Sequence, residues 1–156
     1  MARASAELIG AIRTTVMRLR EGAHYEWGHA GSCNAGHLAQ TVTKLNKVQI
    51  YRMVDGEWSE HLRDYCPSTG DSLEDVAAQM IRFGFEPGEI ADLEWLCDDR
   101  ILERLPDGRR HLRRNDRDDL MLYLETWAEM LEDQLAGPAS DGKPEPEPSP
   151  AALRVA

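Results

Sequence analysis

The chain has 156 residues, 42% of them from the apolar set AVILMFWYC and 29% charged, a size and balance that suit one globular domain able to bury a core without staples. Lys and Arg number 18 against 28 Asp and Glu, a formal charge of −10, which disfavours nucleic-acid backbones and anionic lipid because cationic side chains supply most of the affinity for both. No run approaches the roughly 18 consecutive apolar residues of a membrane span, the first residues lack the apolar stretch of a secretory signal, and three widely spaced cysteines fit reduced thiols better than a disulfide framework; a soluble, cytoplasmic protein is the expectation.

Taken in chain order, the hydrophobic periodicity is helical almost throughout. Leu8, Ile9, Ile12, Val16 and Leu19 recur at helical spacing after Ser5 as N-cap, and Gly22 supplies the stop. A second helix is predicted from near Asn34, carrying Leu38, Val42 and Leu45, although the β-branched Thr41, Val42 and Thr43 lower its propensity. Val48 to Val54 reads as helical continuation or loop, since a single short strand has no partner for its hydrogen bonds. Ser59 is placed to cap a short helix through Tyr65, and Pro67 with Gly70 marks the loop after it.

The clearest helical signature follows, with Ser72 and Asp75 as a capping box, Leu73, Val76, Ala77, Met80 and Ile81 as the apolar face, and Gly84 as terminator. Pro87 then opens a helix at its first position, carrying Ile90, Leu93, Leu96 and Cys97. A short helix on Ile101, Leu102 and Leu105 stops at Pro106-Asp107-Gly108, and Asn115 is the predicted cap of a long final helix striped by Leu120, Leu124, Trp127, Met130 and Leu131. The fold class is therefore all-α, a compact bundle or orthogonal array of about six helices over residues 1–136. Residues 137–156 hold five of the eight prolines, a composition that predicts a flexible tail.

The candidate site lies between His24 and Cys66, where four of the five histidines and two of the three cysteines fall. One reading is a transition-metal site, zinc first, drawing ligands from His29, Cys33, His37, His61 and Cys66. Another is nucleophilic catalysis. Cys33 at the tip of the second helix would feel a dipole that favours thiolate, with His61 as base and Asp64 as its orienter. A third is structural, with thiol and imidazoles satisfied in the packing and Trp27 and Trp58 as walls of a recognition pocket for a cofactor, small molecule or protein partner.

Two short likenesses accompany these readings. Gly31-Ser32-Cys33 resembles the nucleophile segment of papain-like cysteine proteases, and the resemblance implies a thiol at a helix tip; Asn34 stands where that family has an aromatic. Phe83-Gly84-Phe85 between two helices resembles the loop of ubiquitin-associated domains, which implies an interaction module. Residues 72–97 also have the outline of a helix-turn-helix, but Glu86, Glu89, Asp92, Glu94, Asp98 and Asp99 would repel phosphate. Arg109, Arg110, Arg113, Arg114 and Arg117 read as surface cations paired with neighbouring acids, Trp95 and Trp127 as core, and Cys97 as part of a core face. The expectation is a small helical binding protein, with a cysteine- or metal-dependent hydrolase as the alternative.

Overall fold

The computed structural model describes residues 3–54, 58, 62 and 72–137, apart from the side chains of 72 and 73. The predicted helix from Ser59 to Tyr65 apart from Leu62, its loop and the tail beyond 137 lie outside the described residues. Within them the chain forms seven α-helices and no strand, in keeping with the all-α expectation: α1 Ala6–Arg20, α2 Asn34–Thr43, α3 Lys47–Met53, α4 Ser72–Phe83, α5 Pro87–Trp95, α6 Asp99–Leu102 and α7 Arg117–Ala136. No helix among them is long and apolar enough to cross a membrane.

The termini of α1 follow the local sequence. Ser5 Oγ accepts from the Leu8 amide at 3.1 Å, and at the other end the amides of Gly22 and Ala23 return to the carbonyls of Leu19 and Arg18 with Gly22 at φ +96°, a left-handed closure that glycine adopts without a steric penalty. The ambiguous segment after α2 is helical because Asn46 Oδ1 accepts from the amides of Val48 and Gln49 while Gln49 Oε1 accepts from the Asn46 amide, a reciprocal capping box. The final helix starts one residue later than predicted. Asp116 is the N-cap, its carboxylate accepting from the amides of Asp118 and Asp119, while Asn115 is exposed outside the helix.

The longest packing runs between α1 and α7, which lie antiparallel: Arg13 pairs with Glu132 at one end and Arg20 with Glu125 at the other. Leu8, Ile12, Val16 and Leu19 face Leu120, Leu124, Ala128 and Leu131 in one continuous core, and Trp127 closes it with Phe85 and Tyr123 edge-on to its ring. Helix α2 occupies the centre, touching α1, α3, α4 and α5. Asn34 to Ala39 are all buried, and this position explains the glycines around the candidate site. A Cβ on Gly31 would lie 1.9 Å from the Lys47 carbonyl oxygen, and one on Gly36 would lie 2.3 Å from that of Ala30; both segments touch backbone to backbone. Only glycine fits there.

Candidate functional site

Residues 23–33 make a tight loop that brings the chain from α1 into the start of α2. The Glu26 amide donates to the Ser32 carbonyl, and the amides of Ser32 and Cys33 both reach the His29 carbonyl. Trp58, fully buried, packs beneath this loop and donates its indole N–H to the Ala30 carbonyl at 2.8 Å. Trp58 therefore fixes the loop from inside, whereas Trp27 lies half-exposed on the other side of it.

Cys33 is the N-cap of α2 with an extended backbone, as its position in the sequence predicts, but its side chain makes no cap. The cap comes from α5. Glu94, only 4% exposed, places Oε2 at 3.0 Å from the Ala35 amide and 3.2 Å from Cys33 Sγ. A carboxylate thus occupies the positive end of the helix, satisfying a free amide and complementing the dipole. Burial pushes the Cys33 thiol well above its ordinary range, and the adjacent Glu94 charge and hydrogen bond push it further in the same direction. The predicted dipole effect on thiolate is overridden by a charge closer to the sulfur, so the thiol is held protonated as a donor.

Asn34 extends the same network. Its Nδ2 donates to the carbonyls of Glu94 and Arg114, both at 2.8 Å, and its Oδ1 accepts from the Tyr25 hydroxyl at 2.8 Å. Every hydrogen of the amide group has an acceptor, as a buried polar group requires. The Tyr25 hydroxyl also stands 3.1 Å from the Arg114 carbonyl; burial and the neighbouring acids raise its pKa. Two residues of one short loop-helix segment, Tyr25 and Asn34, thereby hold the backbone carbonyl of Arg114, eighty positions downstream of Asn34.

The histidines separate instead of converging. His29 stacks on Tyr51 of α3 with ring centroids 4.3 Å apart, and its Nδ1 accepts from the Gly31 amide. His37 is buried beside Tyr25, and its Nε2 lies 2.9 Å from the His24 carbonyl. That nitrogen must carry the proton, leaving Nδ1 as a buried acceptor without a hydrogen-bond partner among the described residues. Burial first, and the positive charge of Arg18 second, lower the His37 pKa from 6.5 to about 4, so the ring is neutral. Among the described residues no three His, Cys, Asp or Glu side chains are grouped as a metal set; His61 and Cys66, with the proposed orienter Asp64, lie outside those residues.

The acids of α5 differ from their expected role as a repelling surface. Glu89, Glu94 and Asp98 are buried, with Asp98 capping α6 through the Arg100 amide. Burial alone would raise the Asp98 pKa, but the hydrogen bonds and charge of Arg100 outweigh it and hold the carboxyl below its usual range. Cys97, expected on a core face, is exposed because α5 ends at Trp95 and Leu96 turns the chain at φ +50°.

Trp95 is also half-exposed, with no place in the core. It meets Trp27 edge-on at 6.2 Å, and the Arg114 guanidinium lies 4.0 Å from the Trp95 ring centroid and 5.5 Å from that of Trp27. The rest of the arginine run divides. Arg109 and Arg113 pair with buried Asp119, Arg113 also with Asp116, and Arg117 approaches Asp118; Arg114 has no carboxylate partner among the described residues. Spacing along the chain could not reveal this trio, because Trp27, Trp95 and Arg114 come from three distant segments.

No family model, curated protein or solved structure matches the chain.

Proposed function

We propose that the chain is a binding module for a polypeptide partner, with Arg114 between Trp27 and Trp95 as the anchor for a carboxylate on that partner. The observation that carries this reading is the stacking of a guanidinium, without a carboxylate partner among the described residues, against two half-exposed indoles. Stacking on a ring face leaves the in-plane N–H groups of a guanidinium free, and those are the donors that engage a carboxylate bidentately. Trp and Arg are also the side chains that contribute most at protein interfaces, and their effect is greatest where they are held before the partner arrives. Here the Arg114 carbonyl is held by Asn34 and Tyr25. In this reading the cysteine- and histidine-bearing loop acts as the support of the site, and Trp27 is the part of it that touches the partner.

Tryptophan emission tests the proposal against a panel of short peptides carrying one Asp or Glu beside apolar residues, each matched by its Asn or Gln counterpart. An acidic peptide is expected to shift the emission saturably, at least tenfold more tightly than its amide match, and Arg114→Gln should abolish that preference. Equal responses to acid and amide peptides, or none to any peptide, would refute it.

A further inference from the structure

Arg18 presents a second cation without a carboxylate partner among the described residues, far along α2 from Glu94. We infer that the groove between α1 and the C-terminal end of α2 is a binding site for a small molecule bearing an oxyanion, a phosphoryl or carboxylate group, received by Arg18 and Lys44. The groove encloses about 340 Å³ and is lined by Thr14, Arg18, Gln40, Thr41, Lys44 and Asn46 among others, a volume within the range of small-ligand sites.

The Arg18 guanidinium is half-buried, and its acceptors among the described residues are all neutral. Nη1 donates to the His37 carbonyl at 3.2 Å and to Thr41 Oγ1 at 2.9 Å, and Nη2 to Gln40 Oε1 at 2.7 Å. A guanidinium has five N–H donors, so Nε–H and one Nη2–H have no partner among the described residues. Gln40 is itself fixed by donating to the Gly31 carbonyl at 2.6 Å, and the Thr41 hydroxyl shares a 2.8 Å hydrogen bond with the hydroxyl of Thr15, which lies 2.9 Å from the Ala11 carbonyl. The cation is therefore locked in place by residues that leave its charge uncompensated. Burial lowers its pKa in consequence. In a chain with ten more acids than bases, neither Arg18 nor Lys44, on the rim of the same groove, takes a carboxylate among the described residues. Lys47 adds a third positive charge nearby, felt with Arg18 by the buried His37 ring. A locked guanidinium with free donors, a mobile ammonium and a hydroxyl around one small groove are the elements of oxyanion recognition.

The test is amide and guanidinium NMR of the full chain titrated with inorganic phosphate, and separately with acetate, at constant ionic strength. Saturable shifts of Thr14, Lys44 and the Arg18 Nε–H are expected with at least one of the two, and the tighter one names the group. Affinity should fall at least tenfold in Arg18→Gln and several-fold in Lys44→Gln. Arg18→Gln also removes bonds to α2 and is at risk of misfolding; Lys44 makes no side-chain hydrogen bond among the described residues, so its variant keeps the test decisive. No saturable response to either anion, or wild-type affinity in Lys44→Gln, would overturn the assignment.

Discussion

The Cys33 thiol and the Ala35 amide share one oxygen of Glu94, Oε2, at 3.2 and 3.0 Å, so a carboxylate from α5 is the cap of α2. Removing it strands a buried thiol and an uncapped helix end in the centre of the fold. Loss of a cap costs about 0.5–2 kcal/mol, and a buried donor left without its acceptor costs about 1–3 kcal/mol. Glu94→Ala is therefore expected to destabilise the protein by about 2–4 kcal/mol in urea titration, and Glu94→Gln by less, because the amide oxygen still accepts from Ala35. An exposed acid such as Glu129 should change stability by under ~0.5 kcal/mol when replaced by Ala. Equal effects at the two positions would show that Glu94 caps nothing.

The same contact sets the reactivity of the sulfur. A protonated, buried thiol reacts slowly with electrophiles because the thiolate is the nucleophile. Native protein treated with iodoacetamide at pH 8 and mapped by peptide should carry the label on exposed Cys97, with Cys33 modified only after denaturation. Rapid alkylation of Cys33 in the folded state would instead revive the catalytic reading.

His37 gives a pH window of its own. Its pKa falls from 6.5 to about 4 on folding, so the unfolded chain binds a proton below 6.5 that the folded chain refuses. The associated stability is complete above pH 6.5 and is lost as pH falls from 6.5 towards 4, reaching about 3 kcal/mol at one pKa unit per ~1.4 kcal/mol. Asp98 and Asp119, whose pKa values are lowered on folding, lose their contributions at lower pH. Histidine ring NMR should show His37 titrating near pH 4, and the pH dependence of the urea midpoint between 6.5 and 4 should flatten in His37→Gln. An ordinary titration near 6.5 would contradict the buried, neutral ring.

How much of this was legible in the sequence depends on the range of the cause. Ser5, Gly22, Pro87 and the stripe of α7 act within a turn or two of themselves, so their helices could be read directly. The Asn46–Gln49 box is equally local and was available as a signal for α3. Glu94 is different. Its place one turn after Ile90 says that it is on a helix but not that it faces inward, and the amide it caps is 59 residues away in sequence. The partners of the histidines were hidden for the same reason: neighbours in the chain share a loop, yet His29 turns to Tyr51 and His37 to the His24 carbonyl. Trp95 left the expected core because the helix stops beneath it and Arg114 covers its face.

The glycines of the loop carry the last prediction. At Gly31 and Gly36 an added methyl would sit 1.9 and 2.3 Å from backbone oxygens, atoms that cannot rotate away as a side-chain end could, so the start of α2 would have to move from α3 or from its own loop. Overpacking of this kind costs about 1–3 kcal/mol and at times more, and contact with backbone places both Gly31→Ala and Gly36→Ala at the upper end, about 3 kcal/mol each. Gly10→Ala on α1, which meets nothing within 4 Å, should be neutral or stabilising by up to ~1 kcal/mol through helix propensity. Because a shift of α2 also moves Asn34, the two loop variants should weaken the Arg114-dependent response to acidic peptides even under conditions where they remain folded, and Gly10→Ala should leave it intact. Wild-type peptide binding in folded Gly36→Ala would separate the Arg114 site from its proposed support.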